Sequence, residues 1–335
     1  MKSVVIIAEA GVNHNGDINL AKELIKQAKY IQADYVKFQS FLTEENISSK
    51  APKTEYQLQT TISSESQFQM LKKLELSLEQ TFQLKQYADS LGIGFLTTPA
   101  ERQNVELVSD LGLDFVKIAS ESITNYLLLS EIAKLNQKTI LSTGMSNIQE
   151  IDNAIEVLVK HGLQRDKLTL LHCNSEYPSP YGDLNLKAIK SMKDYFGLEV
   201  GLSDHSEGFE ATLAAVALGA TVIEKHFTLD NQLEGPDHIS SLNPKDFEKL
   251  IKMVRNVELS LGTGEKKPSD SEFKNIQYMR RSLVARTTIK KGDTFSIENV
   301  AAKRPADGIS PMEWESIKGV SAKKDYQVDD LITYE

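Results

Sequence analysis

Val4-Val5-Ile6-Ile7-Ala8 is the first apolar run of the chain, and Asp34-Tyr35-Val36-Lys37-Phe38-Gln39 is the next of similar kind. Between them Leu20, Leu24, Ala28 and Ile31 recur at three- and four-residue spacing, the period of a helix with one buried face. The stretch reads as strand, helix, strand, and a helical crossover of this kind joins parallel strands. The alternation continues. Further strand-like runs lie at Ile93–Thr97, Asp114–Ala119, Lys138–Leu141, Leu168–His172, Glu199–Leu202 and Thr221–Lys225, with helical stripes such as Ile148, Ile151, Ala154, Ile155 and Leu158 between them. Eight strands, each followed by a helix, over roughly 260 residues match a (β/α)8 TIM barrel, which takes about 250. A doubly wound open sheet is the competing fold, but no glycine-rich phosphate fingerprint follows the first strand. The expected fold is α/β, with the barrel spanning residues 1–262.

The pattern breaks at Leu261-Gly262-Thr263-Gly264-Glu265-Lys266-Lys267-Pro268, which reads as the start of a linker over 263–274. Beyond it Ser282–Thr288, Thr294–Ser296, Val300–Lys303 and Leu331–Thr333 look like short strands, separated by turns such as Lys291-Gly292-Asp293 and Asp307-Gly308. Residues 275–335 are therefore expected to form a small β-rich domain. A domain of about 60 residues is marginal alone, so it should dock on something.

The composition is that of an ordinary globular chain, 40% hydrophobic and 25% charged. No apolar run approaches the length of a membrane span, and Val4–Ala8, with no basic segment before it, reads as a strand and not a signal peptide. The single cysteine, Cys173, excludes an internal disulfide and fits a cytoplasmic location. A formal net charge of −9 argues against nucleic acid or anionic membrane as partner. An acidic protein that binds an anion must gather its cations locally, so lysines inside apolar segments carry information.

In a TIM barrel the active site lies at the C-terminal ends of the strands. Those ends hold Glu9; Lys37 and Gln39; Thr98; Lys117 and Ser120; Ser142; Asn174 and Ser175; Ser203, Asp204 and His205; and Glu224, Lys225 and His226. Lys37 in Tyr35-Val36-Lys37-Phe38 and Lys117 in Phe115-Val116-Lys117-Ile118 would lose hydration without a compensating anion. Each alone reads equally as a snorkelling lysine or as an internal ion pair with Glu9. Together with hydroxyls at Thr98, Ser120, Ser142 and Ser203 they read as a cradle for phosphate and carboxylate. His205 and His226 close consecutive strands, which brings them near each other. They read either as a hydrogen-bonded pair or as two ligands to a first-row divalent metal. Glu9 is a candidate general acid–base, a sugar-hydroxyl acceptor or the partner of Lys37. His14, His161, His172 and His238 read as loop, helix-end or structural residues.

Taken jointly, several segments resemble the N-acetylneuraminate (sialic acid) synthase family, which includes the legionaminic and pseudaminic acid synthases. They are Ile7-Ala8-Glu9-Ala10-Gly11-Val12-Asn13-His14-Asn15-Gly16, Val36-Lys37-Phe38-Gln39, Ser142-Thr143-Gly144-Met145, His172-Cys173-Asn174-Ser175-Glu176-Tyr177-Pro178, Gly201-Leu202-Ser203-Asp204-His205-Ser206, Glu224-Lys225-His226-Phe227-Thr228 and Gly235-Pro236-Asp237-His238. Lys303-Arg304-Pro305 and Gly308-Ile309-Ser310-Pro311-Met312-Glu313-Trp314 resemble that family's antifreeze-like (SAF) domain. The resemblance implies condensation of phosphoenolpyruvate with an open-chain N-acylamino hexose, N-acetylmannosamine first and a bis-acetamido hexose as the alternative. It implies a divalent ion on His205 and His226, with Mn2+ the first choice and Mg2+ or Co2+ the alternatives. Lys37, Thr98, Lys117, Ser120, Ser142, Ser175 and Ser203 would bind phosphoenolpyruvate, and Glu9, Gln39, Tyr177 and Asp237 would surround the sugar. The resemblance further implies a homodimer with a swapped C-terminal domain, in which Arg304 reaches the acylamino group in the partner subunit's site.

The chain departs from the family at one place. Many members read Lys-Ile-x-Ser-Gly-Glu where this sequence has Lys117-Ile118-Ala119-Ser120-Glu121-Ser122, so Ser122 stands where a sugar-facing glutamate is usual. That leaves the phosphoenolpyruvate side intact and bears on the sugar. Two other functions compete: a metal-dependent aldolase or deoxy-sugar-acid phosphate synthase, and a non-catalytic sugar- or ice-binding protein. Nothing in a surface role asks for lysines in barrel strands.

Overall fold

The computed structural model describes residues 3–334 apart from 55, 56, 59, 60, 62 and 63. The chain divides into two units, Met1–Gly262 and Thr263–Glu335; the outermost residues of the expected bounds, 1 and 335, lie outside the described residues.

In the first unit the strands are β1 (Val5–Gly11), β2 (Tyr35–Ser40), β3 (Gly94–Pro99), β4 (Val116–Ile118), β5 (Thr139–Ser142), β6 (Leu168–Cys173), β7 (Glu199–Asp204) and β8 (Val222–His226). Each is followed by a helix: α1 (Ile18–Tyr30), α2 (Leu78–Leu91), α3 (Arg102–Leu111), α4 (Tyr126–Lys134), α5 (Ile148–Lys160), α6 (Lys187–Phe196), α7 (Glu210–Ala217) and α8 (Pro244–Leu261). The strands pair in parallel in the order β3-β2-β1-β8-β7-β6-β5-β4, and β3 packs beside β4 at the seam. The result is a nearly closed TIM-like barrel, as expected. All eight expected strands are present, with ends displaced by up to three residues. Seven of them run further toward the active-site face than the sequence pattern marks, because backbone pairing continues after the side chains have turned polar.

The period of two along each strand divides the barrel into layers. Outward residues such as Ile6, Ala8, Val36 and Phe38 join the main core with the helices. Inward residues Ile7, Leu96, Ile140, Leu171 and Val222, with Tyr35 and Phe115 against them, form an apolar floor inside the barrel. Two residues further along each strand the inward positions are Glu9, Lys37, Thr98, Lys117, Ser142, Cys173, Ser203 and Glu224, all buried. The apolar floor closes one end and the polar layer faces the other. The helices begin and end as their sequences dictate. Ser77 and Asn147 form capping boxes with Gln80 and Glu150, and left-handed Gly92 ends α2. Between β2 and α2 the chain inserts an excursion with short helices at Thr43–Asn46 and Gln67–Leu74.

The second unit pairs β9 (Ser282–Ala285) antiparallel with β10 (Val300–Lys303) over a small core that includes Leu283, Ile289, Phe295, Val300, Ile317, Tyr326 and Ile332. Two expectations change here. The segment read as linker contains a helical turn at Asp270–Phe273, begun by a capping box of Ser269 and Glu272, with a second turn at Ile276–Met279. The expected strands at 294–296 and 331–333 reduce to single bridges, Thr294 to Ser321 and Leu331 to Val284. In so small a unit the core is satisfied by turns and bridges.

Candidate active site

The inward polar layer is an electrostatic cluster. The register pairs Glu9 with Lys37 on one side and with His226 on the other, so these three side chains leave the wall at one level. Lys37 Nζ lies 2.8 Å from Glu9 Oε2 and 3.7 Å from Glu224 Oε2, and donates to Thr98 Oγ1 at 3.0 Å. Lys117 Nζ donates to Ser142 Oγ at 2.7 Å and lies 3.8 Å from Glu224 Oε1, which accepts from Ser203 Oγ at 2.9 Å. Two lysines and two glutamates thus share one layer below a cavity of about 380 Å³.

Burial alone would disfavour every one of these charges, and the neighbours decide which survive. For Glu224, burial is outweighed by Lys117 and Lys37, which hold its carboxyl at about 2. For Lys37, burial is outweighed by Glu224 and Glu9, and its ammonium stays above the ordinary range. Lys117 goes the other way: burial lowers it, and Glu224 only partly opposes that. Glu9 is pushed up by burial in spite of Lys37. The proton between Glu9 and Lys37 rests on the lysine, yet Glu9 is the carboxylate of the layer most ready to accept one.

The hydroxyls collect on the other side of the layer. Ser120 Oγ accepts from the Gly144 amide at 3.0 Å and lies 3.1 Å from Cys173 Sγ. A Cβ at Gly144 would run into Ser175 Oγ and lie 2.8 Å from Ser120 Oγ. Ser120, Ser142, Ser175 and Ser203 therefore face the same cavity as the lysines. Glu9, Gln39 and Asp237 meet around Gly11, whose left-handed backbone (φ +51°) carries no side chain between them: a Cβ there would lie 3.3 Å from Glu9 Oε1, 3.4 Å from Gln39 Nε2 and 3.6 Å from Asp237 Oδ2. Burial and then Glu9 raise Asp237 to about 7.

His205 and His226 stand at the rim, ring centroids 5.4 Å apart. Tyr177 stacks on His205 at 4.1 Å and meets His226 edge-on at 5.5 Å. His205 Nδ1 donates to the Asn174 carbonyl at 2.6 Å, which fixes the tautomer and leaves Nε2 as the acceptor, 3.3 Å from Tyr177 and Ser203 hydroxyls. His226 Nδ1 is buried and, among the described residues, has no hydrogen-bond partner, with Asp237 Oδ2 at 3.8 Å. Burial lowers His205 to about 4; burial, His205 and Lys37 put His226 well below its usual value. Both rings are neutral at pH 7, the state that ligates metal. Among the described residues no group of three or more His, Cys, Asp or Glu side chains gathers to hold an ion. Two neutral imidazoles lining one cavity could hold a divalent ion whose other ligands come from water or substrate.

The profile of the NeuB family matches residues 24–266. The chain belongs to this family. A SAF domain profile matches residues 280–335. The chain is 53% identical over 332 residues, 99% of both chains, to an N,N'-diacetyllegionaminic acid synthase of Campylobacter jejuni, and 44% identical, over 94% of this chain and 89% of the relative, to one of Legionella pneumophila. A crystal structure of an N-acetylneuraminic acid (sialic acid) synthetase from Leptospira borgpetersenii, in complex with citrate, superposes with a TM-score of 0.73 at 35% identity, covering 82% of this chain and 90% of that one.

Within the NeuB unit the structure brings together Glu9, Lys37, Gln39, Thr98, Lys117, Ser120, Ser142, Ser175, Tyr177, Ser203, His205 and His226 around one cavity, with Asp237 beside Glu9 at its edge. Arg304 lies in the SAF unit, exposed, just after β10. Of the other histidines, His161 meets the Tyr126 hydroxyl, His172 bonds the Leu184 carbonyl, and His238 bonds Thr228. Residue reasoning placed Glu224 at a strand end but gave it no role, although it lies two positions before His226 and so on the same face of β8. It also missed Asn46, Gln57 and Gln67, which reach the cavity from the excursion after β2. Ser122 is buried on a short 3-10 turn, and Glu121, one residue earlier, lines the cavity.

Proposed function

We propose that the protein condenses phosphoenolpyruvate with an open-chain N-acylamino hexose and water, giving a nonulosonic acid of the sialic type and phosphate. The observation that carries this reading is the pair of buried lysines, Lys37 and Lys117, set among hydroxyls in the same cavity as two neutral histidines. In the condensation, C3 of the enol attacks the aldehyde carbon, C2 becomes an oxocarbenium, water adds there, and the tetrahedral centre expels phosphate. Lys37, Lys117 and the serine hydroxyls neutralise and orient the phosphate and carboxylate. Glu9, protonated when the anion sits beside it, gives its proton to the aldehyde oxygen as it becomes a hydroxyl. Glu224 stays ionised below C2, where its charge opposes the developing cation. Holding both substrates in register accounts for much of the rate.

His205 and His226 would hold a divalent ion, Mn2+ first and Mg2+ or Co2+ as alternatives, which when bound supplies Lewis-acid polarisation of a carbonyl. Gln39, Tyr177 and Asp237 would contact the sugar. The working unit on this reading is a homodimer with exchanged SAF domains, Arg304 serving the partner's cavity, in the cytoplasm. Among the described residues no helix is long and apolar enough to cross a membrane.

Sequence reading alone put N-acetylmannosamine first among the sugars. A second reading, a bis-acetamido hexose, is favoured by the 53% identity to a diacetyllegionaminic acid synthase and by the amide side chains of Asn46, Gln57 and Gln67 around the cavity. Specificity constants for N-acetylmannosamine and for bis-acetamido hexoses, measured side by side, decide between them. A preference of tenfold or more (about 1.4 kcal/mol) for either sugar names the substrate; turnover of neither overturns the proposal.

A further inference from the structure

The two histidines are carried differently by their strands. His226 is the last residue of β8 and is registered against Glu9 of β1. Pairing between β7 and β8 ends one step earlier, at Asp204 with Lys225, so His205 lies just past the point where the ladder holds the chain. Its ring is tied to the Asn174 carbonyl and its own carbonyl accepts from the Ser179 amide at 2.9 Å; a further set of contacts, on the outer face of the barrel wall, ties the backbone on either side of it. Lys225 Nζ lies 2.9 Å from Asp204 Oδ2 and donates to the Ser206 carbonyl at 2.7 Å. Asp204 Oδ1 accepts from the Ser206 amide at 2.9 Å and from Ser206 Oγ at 2.6 Å. Asp204 Oδ2 accepts from Thr212 Oγ1 at 2.6 Å. Asp204, Lys225, Ser206 and Thr212 are all buried.

The residue before His226 thus grips the backbone of the residue after His205. Side chains alternate across a strand, so Asp204 and Lys225 point away from the cavity and touch neither ring. Ion pairs buried on the far side of a wall often contribute little net stability compared with an apolar packing; this one fixes geometry. We infer that the Asp204–Lys225 pair is a positioning device that sets the spacing of His205 and His226 for a divalent cation. The inference rests on the metal reading given above. Partners that orient metal ligands without touching the ion characteristically change affinity about 10- to 100-fold when removed.

The test is a titration of the metal-free full-length protein with Mn2+, free ion being read by electron paramagnetic resonance, for the wild type, His226→Ala, Lys225→Met and the charge-balanced pair Asp204→Asn/Lys225→Met. Thermal unfolding and phosphoenolpyruvate titration accompany each. The double variant should unfold cooperatively, bind Mn2+ about 10- to 100-fold more weakly, show an altered spectrum of the bound ion, and keep its phosphoenolpyruvate affinity within about twofold, because Lys37 and Lys117 lie elsewhere in the wall. Should the Lys225 variants fail to fold, Thr212→Val, which removes one bond to Asp204, must still weaken Mn2+ binding several-fold. Wild-type affinity in the folded variants overturns the inference while leaving the metal reading intact. Equal loss of phosphoenolpyruvate and Mn2+ shows a general structural role and also overturns it. If neither the wild type nor His226→Ala binds Mn2+, it is the metal reading that fails, and this inference with it.

Discussion

Glu9, Glu224, Lys37 and Lys117, all ionised, would cancel. A multiply charged anion placed among them adds negative charge that favours protonation of a carboxylate, and the group prepared for it is Glu9, already raised by burial, while Glu224 is held at about 2. Phosphoenolpyruvate binding should therefore take up a proton. Because the bound state holds more protons than the free one, affinity should fall as pH rises past the Glu9 titration. Calorimetry in two buffers of different ionisation enthalpy checks this, and Glu9→Gln should abolish most of the uptake and flatten the pH slope. At this scale the sequence was half legible. A lysine flanked by apolar residues announces a compensating charge, so Lys37 and Lys117 stood out. The identity of the compensating group depends on which strands are neighbours around a closed barrel, and Glu224, far along the chain from both lysines, acquires its meaning only when β8 is placed beside β1 and β7.

The loop between β5 and α5 shapes the anion side of the cavity through an absent side chain. At Gly144 a Cβ would crowd Ser120, Ser175 and Cys173 together, and overpacking of this kind costs about 1–3 kcal/mol. Gly144→Ala is expected to weaken phosphoenolpyruvate by about five- to hundredfold in a calorimetric titration while leaving the sugar within about twofold; the opposite pattern would mean that the two halves of the cavity are exchanged. Strands and helices of the barrel were legible because their buried faces repeat with period two or near 3.6. The excursion between β2 and α2 was not, because its cavity-lining amides Asn46, Gln57 and Gln67 follow no period. The turn inside the linker was not legible for a related reason: a capped single turn such as Asp270–Phe273 is too short to show a repeat, although Ser269 followed three residues later by Glu272 is a readable start signal.

On the scale of the whole molecule, the SAF unit has a core of few residues and carries an exposed Arg304, which the proposed exchange of SAF domains would bring to the partner's cavity. Mixing Lys117→Met chains with Arg304→Ala chains, each inactive alone, under conditions that exchange subunits should restore activity: each mixed dimer then has one site with both lesions and one with neither. Sites built within single chains would stay dead on mixing. The condensation itself is tested most directly by incubating the metal-loaded protein with phosphoenolpyruvate and an unphosphorylated N-acylamino hexose, and following phosphate together with the mass of the product. Phosphate should appear only when both substrates are present, one for each molecule of a 2-keto acid three carbons longer than the sugar. Phosphate released without sugar, or a product that keeps the phosphate, would contradict the proposed reaction.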